Sequence, residues 1–232
     1  MGEMKPIATL SGGEEFPCYV ASPDGEAKAA IIVIQEIFGV NPGIKAKCDH
    51  WAKAGYLAIA PDLFWRVNEG TNLDADVQEE FQVALDLMGK FDQDQGIRDI
   101  EAAIHFAREG VNGGKIGCVG YCLGGRLAFM TAARTDINAS VGYYGVGIDG
   151  LLNEKNAIAH DVILHIPTAD GFVPADAQAA MHEGLDDHPK VTLHDYDGLD
   201  HGFAAEFGAR RDEAAATLAD SRTEEFFKEH LV

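Results

Sequence analysis

The chain is poor in cysteine and in positive charge. Its four cysteines, Cys18, Cys48, Cys118 and Cys122, are irregularly spaced and form no C-x-x-C pair, which argues against a disulfide framework or a structural zinc site. Lys and Arg number 18 against 38 Asp and Glu, a net charge of -20, so nucleic acid and anionic membrane surfaces would be repelled and neither is expected as a partner. Met1–Ile7 has no long apolar run and no cleavage pattern, so no secretion signal is expected, and Pro6 stands where a myristoylation motif needs Ser or Thr. The cytoplasm is the expected location. No repeat, low-complexity tract or linker interrupts the chain. What is present is 232 residues with 47% apolar and 24% charged content, the size and mixture of one sizeable α/β domain over 1–232.

The apolar pattern alternates between strand and helix. Glu14–Ala21 reads as an early antiparallel strand closed by the turn residues Ser22–Gly25. Ala29–Gln35 and Tyr56–Ala60 are continuous apolar runs of strand length, the mark of strands covered on both faces, and the helical segment Ile44–Ala54 between them implies a parallel pair. Residues 62–72 form a loop with Phe64, Trp65 and Arg66. Periodicity predicts helices over Leu73–Met88 and Gln95–Arg108. Strands follow at Ile116–Val119, Ala139–Tyr144, Val162–Thr168 and Val191–Tyr196, with helices at Leu123–Ala133, Ala175–Leu185 and about Arg210–His230. The expected class is α/β, a mostly parallel central sheet with helices on both faces.

Gly120-Tyr-Cys122-Leu-Gly124 sits between a predicted strand and helix and has the spacing of the G-x-S-x-G nucleophile elbow, with cysteine in place of serine. Such a turn puts Cys122 at a helix N-terminus, where the dipole and free N–H groups favour thiolate, and aims the Leu123 N–H at any oxyanion formed beside the sulfur. Taken alone, a cysteine in a glycine-rich turn is more often a small packed residue. The glycines fit neither G-x-G-x-x-G nor a P-loop, so a phosphate cradle is excluded.

A nucleophilic Cys122 needs a base, and the base needs an orienting acid. In an α/β-hydrolase fold these follow in the order nucleophile, acid, histidine, each beyond the carboxyl end of a strand. Asp170 and His201 occupy those places. Asp176 is the rival acid but lies inside a predicted helix, and the other histidines do not follow the last strand. Asp197 and Asp200 beside His201 leave a cation site or a solvated acidic loop open.

Over nearly its whole length the sequence resembles the dienelactone hydrolase family. The likeness is carried by Gln35–Asn41, Pro61–Leu63, Val119–Gly125, Val141–Gly147, Asp170 with Phe172–Pro174, and His201 with Phe203. It implies a Cys122, His201, Asp170 triad that hydrolyses a small ester or lactone through a thioester, without metal or cofactor. It further implies that Glu36 holds the resting thiol until substrate binds, and that the Ile37 N–H is the second oxyanion donor beside Leu123. In the characterised members two arginines bind a substrate carboxylate; at the matching positions this chain has Phe81 and Ala205, which points to a less polar or neutral ester or lactone. Arg66, Arg210 and Arg211 are the candidates to substitute. Phe38, Trp65, Phe81, Tyr143 and Phe203 are expected as substrate-binding walls, and the assembly as a monomer or weak homodimer. A broad carboxylesterase or thioesterase is the alternative enzyme; a ligand-binding or thiol-redox-sensing relative is the alternative of another class.

Overall fold

The computed structural model describes residues 1–232, which form two compact units, Met1–Ile116 and Gly117–Val232. In the first, β1 (Glu3–Ala8) pairs antiparallel with β2 (Glu15–Ala21), β2 antiparallel with β4 (Leu57–Pro61), and β3 (Ala30–Ile34) parallel with β4. The register places Pro6 opposite Pro17. Proline lacks the N–H a ladder needs and is confined to edge strands and their neighbours. β3 and β4 are buried at every position, as their unbroken apolar runs require.

The segment after β3 is fixed by its own residues. Asn41 caps α1 (Pro42–Lys53) by accepting from the Ile44 N–H at 3.1 Å, and Pro42 opens the helix where no N–H is needed. Gly39 bridges to Asn72, and a Cβ there would sit 2.0 Å from the Thr71 carbonyl oxygen, so only glycine allows this approach. The expected loop over 62–72 contains a short helix, α2 (Trp65–Asn68). The helix predicted from Leu73 starts instead at Gln78 (α3, Gln78–Lys90), because the Leu73 N–H is taken by the Phe38 carbonyl and Asp74 turns the chain by accepting from Asp76. α4 (Gln93–Gly110) is capped by Asp92 and buries Ile97, Ile100 and Ile104.

In the second unit β5 (Ile116–Tyr121), β6 (Ala139–Tyr143), β7 (Val162–Pro167) and β8 (Val191–Tyr196) lie parallel in sequence order. α5 (Leu123–Arg134) follows β5, a 3-10 helix, Asp149–Ala157, follows β6, and α6 (Ala175–Leu185) follows β7. α7 (Glu213–Leu231) packs Phe227 and Leu231 against Gly117 of β5.

A buried polar chain ties α7 to three strands. Arg222 donates to the Tyr196 hydroxyl, whose proton therefore goes to His165 Nδ1 at 2.8 Å; His165 Nε2–H then donates to Thr223 Oγ1 at 3.0 Å. Thr223 in turn bonds the Tyr143 hydroxyl at 2.7 Å, and Tyr143 donates to Asp220. This order requires a neutral His165, and burial, with His194 and Arg222 nearby, lowers its proton affinity well below the usual imidazole value. The unfolded chain gains that proton below about pH 6.5 while the folded chain does not, so stability falls on acidification by about 1.4 kcal/mol per pH unit from this one group. A His165→Gln variant is expected to lose that part of the slope in urea titrations run between pH 6.5 and 5; parallel slopes for the two proteins would refute it.

Candidate active site

Cys122 lies between β5 and α5 with φ 56° and ψ -115°, a backbone region that side chains rarely adopt and that costs about 1–3 kcal/mol. The turn is held by the Cys122 N–H on the Tyr143 carbonyl at 3.0 Å and by the Cys122 carbonyl accepting from Gly125 and Arg126. A Cβ on Gly120 would meet the Gly124 carbonyl oxygen at 1.9 Å, and one on Gly125 would meet the Tyr143 oxygen at 2.5 Å. The glycines that the turn needs are thus Gly120, two residues before Cys122, and Gly125, the second of the pair after it. Cys122 itself is half-buried, with Leu123 at the first position of α5.

Asp170 follows β7 and His201 follows β8. His201 Nδ1 lies 2.9 Å from Asp170 Oδ2, and both side chains are nearly enclosed. Asp170 Oδ1 accepts from the backbone N–H groups of Phe172 and Val173 at 2.8 and 3.3 Å, which fixes its plane. Since Asp170 holds Nδ1, the hydrogen bond between His201 and the Cys122 sulfur falls to Nε2. Burial works against a charged imidazole here, but the hydrogen bonds from Asp170 and Cys122 outweigh it and push the His201 value up to about 10. A histidine held by a carboxylate on one side and bonded to a cysteine sulfur on the other can accept the sulfur's proton as imidazole and return it as imidazolium.

Two features of this site are not visible in sequence spacing. Asp200 Oδ1 accepts from both Gly171 N–H at 2.8 Å and His201 N–H at 2.7 Å, so one carboxylate staples the acid loop to the histidine loop. These two bonds hold its own proton affinity down. That is the role of the acid beside His201, and Asp197 likewise accepts from Thr168 Oγ1. No group of three or more His, Cys, Asp or Glu side chains is placed to hold a metal ion. The imidazole is flanked edge-on by Tyr144 at 4.9 Å and Phe172 at 4.8 Å between ring centres, and Phe172 is the exposed one of the two. Both lie inside the motif strings quoted above, next to residues chosen as site candidates, and neither carries a periodic signal of its own.

The expected aromatic walls fall in different surroundings. Tyr143 is fully buried and commits its hydroxyl to Thr223 and Asp220; Phe203 is also buried, stacked 4.7 Å from Tyr196. In the other unit Phe38 packs on half-buried Phe81 at 5.6 Å, and Trp65 stacks on Phe16 with its Nε1–H on Asp99. Arg66 lies over the Trp65 ring and clamps the buried Asp99 carboxylate with both terminal nitrogens, so it is not offered to a substrate anion. Arg211 is bonded to Glu213 and to the Ala205 carbonyl, while Arg210 reaches over the Phe172 ring at 5.9 Å. Glu36 and Ile37 follow β3, with Ile37 buried.

Parallel strands joined by helices, with a sharp strand-to-helix turn after β5, define an α/β-hydrolase fold. The dienelactone hydrolase family model matches residues 16–231, and the chain belongs to that family, whose members are hydrolases acting on ester bonds. It is 44% identical to a protein of Azospirillum brasilense over 98% of this chain and 100% of that one. It is also 37% identical to carboxymethylenebutenolidase of Pseudomonas putida, over 92% of this chain and 91% of that enzyme. A crystal structure from Klebsiella pneumoniae subsp. pneumoniae MGH 78578 matches it with a TM-score of 0.85 at 28% identity, covering 99% of this chain and 98% of the other. No helix is long and apolar enough to cross a membrane.

Proposed function

We propose that the chain cleaves a small ester or lactone through a thioester on Cys122. The observation that carries this is His201, bonded at once to Asp170 and to the sulfur of a cysteine on the elbow. The sulfur passes its proton to His201 and attacks the carbonyl carbon, and His201 returns that proton to the departing alkoxide or enolate; in a lactone the alcohol so formed stays attached as the opened end. Water then adds to the thioester, His201 takes its proton, and the acid departs as the Cys122 sulfur is released. The Leu123 N–H, at the first position of α5, holds the oxyanion. Neither metal nor cofactor takes part. The match of one family model to residues 16–231 supports action as a single domain. The acidic balance supports a chain with no nucleic-acid or membrane-surface partner, and its four unpaired, irregularly spaced cysteines support a reducing, cytoplasmic setting.

The substrate departs from the one named for the Pseudomonas putida relative. Phe81 packs against Phe38 and Ala205 offers only backbone, so neither binds a carboxylate. This favours a neutral ester or lactone, and the activity range of a broad carboxylesterase or thioesterase. A neutral five-membered lactone is expected to give a higher kcat/KM than its carboxylated analogue, measured under the same salt. A preference for the anion would reverse this specificity.

A further inference from the structure

We propose that Asp200 is a positioning residue for hydrolysis: its carboxylate sets the alignment of Asp170 with His201, and through that alignment the rate of proton transfer. This rests on the triad reading made above. All the residues concerned lie in the unit Gly117–Val232.

The loops after β7 and β8 carry the pairing of the two strands beyond the sheet. Thr168 N–H donates to the Tyr196 carbonyl at 3.0 Å and Ala169 N–H to the Leu199 carbonyl at 2.9 Å. Thr168 Oγ1 adds a side-chain rung by accepting from Gly198 N–H at 2.9 Å. The rung nearest the triad is Asp200, whose Oδ1 takes the Gly171 and His201 N–H groups together.

That one oxygen reaches both members of the pair. His201 N–H belongs to the base itself. Gly171 N–H is the first of three consecutive amides, and the next two, of Phe172 and Val173, hold Asp170 Oδ1. Asp200 therefore fixes the backbone of the base and the turn that sets the plane of the acid, and the two side chains meet at 2.9 Å. A displacement on the order of 1 Å within a catalytic pair can cost about 100-fold in rate. Asp200 is exposed, so its removal opens no cavity in the core and its effect should appear in turnover rather than in folding.

The test uses the full chain with p-nitrophenyl acetate, and kcat is expressed per folded enzyme. Asp200→Ala is expected to lower kcat by about 10- to 100-fold with KM changed little. Asp200→Asn keeps an oxygen for both N–H groups and should recover kcat to within about threefold of the parent. On an Asp170→Asn background, where the alignment no longer serves catalysis, Asp200→Ala should cost less than about threefold more, because residues that act through one another do not add. Parental kcat in Asp200→Ala, an Asp200→Asn as impaired as Asp200→Ala, or a full second loss on the Asp170→Asn background would each overturn the role. Should Asp200→Ala fail to fold, Asp200→Leu, which also lacks an acceptor, takes its place in every arm. If Asp170→Asn keeps parental kcat, the triad reading itself falls; if Asp170→Asn is crippled while Asp200→Ala works normally, only the positioning role falls.

Discussion

Cys122→Ala is expected to lower kcat on an activated aryl ester by about 10⁴- to 10⁶-fold, the range found when a triad loses its nucleophile. No other thiol can take over. Cys118 is buried in β5 beside the Ser140 hydroxyl at 3.2 Å, and burial pushes its thiol up to about 12. Burial likewise raises the Cys18 and Cys48 thiols, so at neutral pH all three stay protonated and enclosed. Cys122 alone is half-exposed and bonded to an imidazole. Cys118→Ala and Cys48→Ala should retain near-parental kcat even if they lower the unfolding midpoint. Steady-state rates normalised to folded protein separate the cases, and matched losses in all three variants would remove Cys122 from the mechanism.

Asp170→Asn should cost about 10³- to 10⁴-fold in kcat with the fold intact. The geometry gives the reason. Asp170 Oδ1 accepts from two backbone N–H groups, so an asparagine would keep its oxygen there and turn its NH₂ toward His201 Nδ1. Nδ1 would then have to accept, the ring proton would move to Nε2, and Nε2 could no longer take a proton from the sulfur. The loss of the carboxylate also removes one of the two bonds that raise the His201 value to about 10. Imidazole ¹⁵N shifts should report the changed tautomer and a lower midpoint. A loss of less than tenfold, or unchanged shifts, would contradict the assigned role.

The elements that formed a complete local argument were legible in the sequence. Gly120, Cys122 and the helix that follows carry their turn in consecutive residues; Asp170 was found because it follows the apolar strand β7, and His201 because it follows the last strand, β8, in the required order. The β3 and β4 runs read correctly because both faces are covered. β1 left no such mark: Ile7 is its only fully buried residue, Pro6 interrupts it, and it forms by pairing with β2. The start of α3 was misplaced because the bond from Leu73 to Phe38 is made across sequence and outweighs periodicity. For the same reason Tyr144, Phe172, Asp200 and the His165 chain had no linear signal. Each meets a neighbour about 30 or more residues away: Tyr144 and Phe172 at His201, Asp200 at Gly171, and His165 at Tyr196.

The Asp200 staple has a consequence for anyone altering what this enzyme accepts. Because one carboxylate oxygen binds both Gly171 and His201, the acid and the base inherit any shift of either loop together. Their mutual alignment is thus insulated from changes elsewhere, but lengthening or shortening either loop would disturb both partners at once. Room for a bulkier acyl group is better sought by trimming Phe172. Its ring edges the imidazole at 4.8 Å yet is 46% exposed, so it can be reshaped without opening the interior.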